Sequence, residues 1–410
     1  MGVTLAKMAN GDFVARGSPL DMLVNVLTEI PMATHKWTFV SRFRRKAFGW
    51  RSTLPIQRLK EAVTEIRSAA RSDRVLGAEG AVLLLERLSP ALEHVDSSSG
   101  ALGGAVNRAI DALVPVIAAA DVTQANRQRW LERLFDALQE DQMPYIESLG
   151  EQWGTLCVTP ELASQWADQL LPLVTHVLGA DGYNFFVGTV PCLSALYAAG
   201  RFDEVVDLAN GGRLKSWWYR RWAVDSLVAL GRPGDALRLA EASKGPNAPE
   251  GAIARACEAV LLDCGMTEEA YQHYAIAANR AGTYLATFRA ITKKYPTRPP
   301  ESILADLVRC EPGSEGKWFA AAKDAGLFDL AVSLSRKSPT DPRTLTRAAR
   351  EYRTKQPQFA IACALSALRW IEAGHGYEIT ALDALDAYDA LVAAAASETP
   401  RSDVDALVLL

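Results

Sequence analysis

The stretch VPCLSALYAAGRFDEVVDLA, residues 190–209, is followed by WAVDSLVALGRPGDALRLA, residues 222–240, and the two are copies of one pattern. Aligned on Gly200 and Gly231, both carry leucine four positions before the glycine (Leu196, Leu227). A small or branched residue stands five positions after it (Val205, Ala236). Glycine with apolar neighbours at those offsets suits a tight turn between two antiparallel helices, because it accepts the left-handed backbone that ends a helix. The helical hairpin is therefore the unit of the chain.

Outward from these copies the spacing stays regular. Turn positions fall at Gly200, Gly231, Gly265, near Pro296, at Gly326 and near Lys355, intervals of about 29 to 34 residues, the range in which helical hairpins stack into a solenoid. Five residues beyond the turn stand Val205, Ala236, Ala270, Ala331 and Ala360, a column where two helices can approach closely. The pattern predicts an all-α fold. Residues 1–17 form a loose start, 18–180 a helical N-terminal domain, 187–396 the repeat array and 397–410 a tail, with Leu178–Phe186 as connector.

Leu227, Gly231 and Ala236, and again Leu261, Gly265, Ala270 and Ala277, resemble the core of tetratricopeptide (TPR) repeats. The resemblance implies a degenerate TPR-like α-solenoid of helix-turn-helix repeats. The TPR Trp and Pro signatures are missing at most repeats, and the copy from Pro296 to Cys310 has lost both Gly and Ala. In the N-terminal half, RFRRKAFGWRS and SPALEHVDSSSGALGGAVNRAIDALVP resemble an uncharacterised family of bacterial proteins, which implies no known activity.

With 49% hydrophobic and 22% charged residues the chain is globular, and its net charge of −4 argues against a globally nucleic-acid-like protein. Six scattered cysteines read as buried free thiols of a cytoplasmic protein, with neither a disulfide framework nor a metal site expected. The opening MGVTLAKMANGDFVARGS lacks a continuous apolar core with a cleavage site, and no run approaches twenty apolar residues, so neither signal peptide nor membrane span is expected.

In chain order, a helix is expected from Ser18 to Ile30, closed by Pro31, with further helices from Pro55 and over 74–88, 107–119, 124–139 and 144–157. Thr159 and Pro160 open another, which Pro172 should kink or divide. The final helices, 356–373 and 379–395, end the stack; Asp383, Asp386 and Asp389 read as a solvated acidic stripe.

Two stretches mix cations with aromatics. In HKWTFVSRFRRKAFGWRSTLP, residues 35–55, the aromatics Trp37, Phe39, Phe43, Phe48 and Trp50 alternate with Arg42, Arg44, Arg45, Lys46 and Arg51. Such a surface can contact nucleic-acid phosphates or an acidic partner; the preferred reading makes the aromatics the core of a helix under a solvated cationic face. In GGRLKSWWYRRWAVD, residues 211–225, Arg213, Lys215, Arg220 and Arg221 with Trp217 and Tyr219 can line the concave side of the array, against a reading in which the aromatics are core.

The serines of Ser97 to Gly100 before a helix offer a weak anion loop without the ending of a nucleotide loop; the alternative is a capping loop whose Gly103 and Gly104 permit close packing. His35, His94, His176, His273 and His375 are isolated, and His375 between Gly374 and Gly376 reads as a turn. No convergent acid, base or ligand set emerges, so no enzyme activity and no cofactor are expected. The leading expectation is a cytoplasmic scaffold or adaptor binding a protein or peptide. Nucleic-acid binding through the basic aromatic stretches is the alternative; a cryptic enzyme site around Asp96 to Asn107 would need a polar pocket there.

Overall fold

The computed structural model describes residues 35–179, 185–211, 214 and 216–396. The expected helix from Ser18 to Ile30, the tail, and the candidate residues Arg213 and Lys215 lie outside the described residues. Among the described residues there are nineteen α-helices and no strand. Two compact units divide the chain, residues 1–163 and 164–410.

In the first unit, α1 (Thr53–Ser72), α2 (Arg74–Leu92), α3 (Ala101–Ala118) and α4 (Gln124–Gln139) pack together, and α5 (Trp153–Cys157) follows a 3-10 turn at Glu147–Gln152. Helix α2 packs against α1, α3 and α4 as the central rod, with Leu84, Leu85 and Leu88 fully buried. Asp73 caps it by accepting from the amides of Val75 (2.9 Å) and Leu76 (3.0 Å). The helix runs through Pro90 to Leu92, beyond its expected end at Leu88.

Two glycines of α2 set the packing distance. A Cβ at Gly77 would strike Ala70 of α1, and one at Gly80 would strike the Trp37 indole. The expected close-packing glycines play no such part, since Gly103 has nothing near it and Gly104 faces only the flexible Arg108 side chain.

Helix α3 is long and apolar enough to cross a membrane by length and composition alone, although Asn107, Arg108 and Asp111 interrupt its apolar run. Leu102, Val106, Ile110 and Leu113 are buried in the unit, and Arg127 of α4 donates to the Ile117 (2.5 Å) and Ala120 (2.6 Å) carbonyls where α3 ends. The expected single helix over 144–157 is broken into the 3-10 turn and α5, where Gly150 and Gly154 weaken an α-helical run.

Helix α6 (Pro160–Gly179) starts as expected, with Thr159 Oγ1 accepting from the Leu162 amide at 3.3 Å, and Pro172 does not divide it. The boundary between units falls inside this helix, before the connector expected at Leu178–Phe186. Its later part packs within the second unit: Leu170 lies against Gly188, and Arg201 donates to Ser164 Oγ (3.1 Å) and Asp168 (2.5 Å).

The second unit continues through α7 (Thr189–Ala198), α8 (Phe202–Asn210), α9 (Trp217–Ala229), α10 (Pro233–Glu241), α11 (Glu250–Asp263) and α12 (Thr267–Ala278). It then runs through α13 (Tyr284–Lys294), α14 (Pro300–Cys310), α15 (Phe319–Asp324), α16 (Phe328–Lys337), α17 (Pro342–Tyr352), α18 (Pro357–Glu372) and α19 (Ala381–Ala395). Consecutive helices pack as hairpins and on the following pair.

Gly200, Gly231, Gly265 and Gly326 all adopt φ between +71° and +75°. At each, the amide after the glycine donates to the carbonyl four residues before it, as from Arg232 to Leu227 (2.8 Å) and from Met266 to Leu261 (2.9 Å). This is the Schellman closure, in which backbone groups left over at a helix end satisfy one another. Gly374 closes α18 the same way, with the His375 amide on the Trp370 carbonyl at 2.8 Å, so the 374–376 turn is as expected. The column five residues beyond the turn, Val205, Ala236, Ala270, Ala331 and Ala360, is fully buried.

Where the glycine is lost near Pro296, another device holds the fold. The Glu258 carboxylate of α11 is wholly buried and accepts from Tyr295 Oη (2.7 Å), Asn279 Nδ2 (2.7 Å) and Lys294 Nζ (2.6 Å). It thereby ties the ends of α12 and α13 to α11.

Candidate functional site

The stretch 35–52 is not the helix expected. A 3-10 turn at Phe39–Ser41 sits in an irregular wrap that lays Trp37, Phe39, Phe43 and Phe48 into the core of the first unit. Phe43 and Phe48 meet edge to face at 5.4 Å, and Lys46 takes φ +56° while its amide donates to the Pro90 carbonyl. Only Trp50 remains in water, at 72% exposure.

The cations of the wrap divide into two groups. Arg42 pairs with Glu61 (2.8 Å), which also accepts from Arg58 (2.7 Å), and the Arg58 hydrogen bond leads in pulling the Glu61 carboxyl below its ordinary value. Arg45 (3.6 Å) and Lys46 (3.4 Å) share Glu93. Arg44 and Arg51 point outward and are exposed. Arg44 and Arg42 meet Lys36 and, from α2, Arg87 along one open groove of about 690 Å³. Arg87 lies outside every basic stretch of the sequence, and no local signal marks it.

The second cationic stretch is mostly used up by the fold. Trp217, expected among the partner-facing residues, is buried, packing in the same core cluster as Val224 and Leu227. The helix starts at Trp217, and the stripe 217, 224, 227 turns inward at helical spacings of seven and three. Arg220 is likewise a staple rather than a surface anchor: Nε donates to the Leu214 carbonyl (2.6 Å) and Nη1 to the Ala242 carbonyl (3.3 Å). Tyr219 is half-buried, and Arg221 lies 5.1 Å over the Trp222 ring, which also meets Tyr197. The aromatic left exposed is Trp218, at 52%.

Other candidate chemistry is absorbed locally. The Asp96 carboxylate accepts from the Ser98 amide (3.0 Å), a hydrogen bond that holds it below its ordinary value, and the Ser99 hydroxyl faces the Ala101 amide (3.4 Å). The loop thus meets its Ser98, Gly100 and Ala101 amides with acceptors of its own, Asp96, the Ser97 carbonyl and the Ser99 hydroxyl. Of the acidic stripe, Asp383 is drawn inward, held by Arg343 (2.6 Å) and by the Thr380 amide (2.8 Å), whereas Asp386, paired with Arg350 (2.9 Å), and Asp389 stay exposed as expected. These ion pairs clamp α19 onto α17.

Of the six free cysteines, Cys157, Cys192, Cys257 and Cys363 are buried as expected, whereas Cys264 and Cys310 are exposed. Burial pushes the thiols of Cys157, Cys192 and Cys363 up to about 12, which keeps them protonated and unreactive. No group of three His, Cys, Asp or Glu side chains gathers as a metal-ligand set among the described residues. The chain matches no protein-family model, no curated protein and no solved structure.

Proposed function

We propose that the protein is a non-enzymatic helical-repeat scaffold or adaptor that binds a protein or peptide partner within a bacterial cytoplasmic complex. Its second unit would be a degenerate TPR-like α-solenoid, a reading supported by the Leu227, Gly231, Ala236 spacing and the hairpin stacking around it. The observation that carries the functional reading is Trp218, about half of whose surface is in water on the first turn of α9, beside half-buried Tyr219 and ring-stacked Arg221. Tryptophan, tyrosine and arginine are the residues on which interface energy concentrates.

The test is affinity recovery from native cells with and without nuclease, comparing the wild type with Trp218→Ala and Arg221→Glu. The same protein partner should be recovered in both conditions, and Trp218→Ala should weaken its retention about 30-fold, equivalent to about 2 kcal/mol. Loss of recovery on nuclease treatment would replace this reading with nucleic-acid binding. Unchanged recovery with both variants would end it.

A further inference from the structure

The groove between the 36–44 wrap and α2 gathers Lys36, Arg42, Arg44 and Arg87, with the hydroxyls of Thr38 and Ser41, and no carboxylate lines it among the described residues. Internal partners already engage part of this set. Arg42 shares Glu61 with Arg58, the Thr38 hydroxyl donates to Glu65 at 2.6 Å, and Ser41 donates to the Thr38 carbonyl at 3.2 Å. Among the described residues, Lys36, Arg44 and Arg87 have no carboxylate partner. Arg87 Nε is buried without a hydrogen-bond acceptor, an arrangement that costs stability until an acceptor arrives.

We propose that this groove binds a phosphate monoester, or the equivalent compact dianion, between Arg44 and Arg87 with Lys36 as the third cation. Guanidinium forks match phosphate oxygens in geometry as well as charge, and bringing like charges to one groove is relieved by a counter-charge among them. A compact anion fits better than a nucleic-acid backbone. A backbone needs an uninterrupted track of cations, and here Glu61 and Glu93 break it by neutralising Arg42, Arg45 and Lys46. The groove belongs to the first unit and Trp218 to the second.

Calorimetric titration of the full chain with inorganic phosphate, pyrophosphate and AMP, and separately with a 12-nucleotide oligothymidylate, tests it. At least one phosphate probe should bind saturably. Whether inorganic phosphate or AMP binds more tightly distinguishes a free anion from an organic monoester. Arg44→Ala and Arg87→Gln should each weaken that binding about tenfold. Arg51→Ala, exposed in the same stretch but outside the groove, should leave it unchanged. Arg44 is at the surface, so Arg44→Ala also keeps the test readable if Arg87→Gln fails to fold. Absence of saturable binding by all three phosphate probes would overturn the proposal. So would equal loss in Arg51→Ala, or oligothymidylate binding tighter than every small probe and falling steeply with salt.

Discussion

Replacing Glu258 with alanine should destabilise the second unit by about 3 to 5 kcal/mol, the range for breaking a buried ionic network from one side. Tyr295 is 1% exposed and loses the acceptor of its hydroxyl, which costs about 1 to 3 kcal/mol. The space left by the carboxylate side chain adds about 1 to 2 kcal/mol. Lys294 contributes little, because its side chain is 36% exposed and can turn to water. Asn279 keeps its bond to the Ala275 carbonyl at 2.8 Å and is not orphaned. Tyr295→Phe alone should cost about 1 kcal/mol, since Glu258 retains two donors. In the double variant the stranded hydroxyl is gone, so the two effects should fall short of additivity by about 1 to 2 kcal/mol. Urea unfolding followed by circular dichroism measures all three against the wild type. An Glu258→Ala cost below about 1 kcal/mol, or strict additivity in the cycle, would refute the assignment of this carboxylate as the tie between α11 and the turn that lacks glycine.

Gly231→Ala and Gly265→Ala should each cost about 1 to 2 kcal/mol, because φ is +71° and +75° while no atom lies within 4 Å of an added Cβ, leaving backbone strain as the sole penalty. Thermal melting that shows no change at either site would contradict the left-handed closure. The phenols of Tyr271, Tyr274 and Tyr295 are held above the ordinary tyrosine value, first by burial and then by hydrogen bonds to Asp306, Glu241 and Glu258. Unfolded tyrosine ionises near pH 10, so the stability these groups contribute is present below about pH 10 and is lost as pH rises from there toward their folded values. Absorbance titration should find at least three of the 11 tyrosines still un-ionised at about pH 11 while the fold persists; ionisation of all in one step near pH 10 with native circular dichroism would exclude it.

The array was legible because its information is local. Leucine, glycine and a small residue within ten positions describe both the turn and the close approach behind it, and Gly200, Gly231, Gly265 and Gly326 all adopt the backbone their spacing implied. Trp217 was misassigned for the opposite reason. Which of two adjacent tryptophans turns inward depends on where α9 begins, and a one-residue shift rotates the face by about 100°. Arg220 looked like surface charge because its acceptors are backbone carbonyls, Leu214 and Ala242, which leave no mark in side-chain chemistry. Asp383 looked solvated because its partner, Arg343, stands on another helix. The candidate anion groove joins a residue of α2 to a wrap some forty positions earlier, a pairing that tertiary packing alone creates.

Where a glycine closes a hairpin turn, main-chain atoms do the closing, with that glycine and one small residue as the local requirements. Arg201, Arg232, Met266 and Leu327, which follow the glycines, share neither charge nor shape, yet each supplies the same amide. At these glycine-closed turns the residues around the glycine can diverge without disturbing how the two rods are joined. Kinship in a chain of this kind fades from its sequence long before the turns themselves are lost.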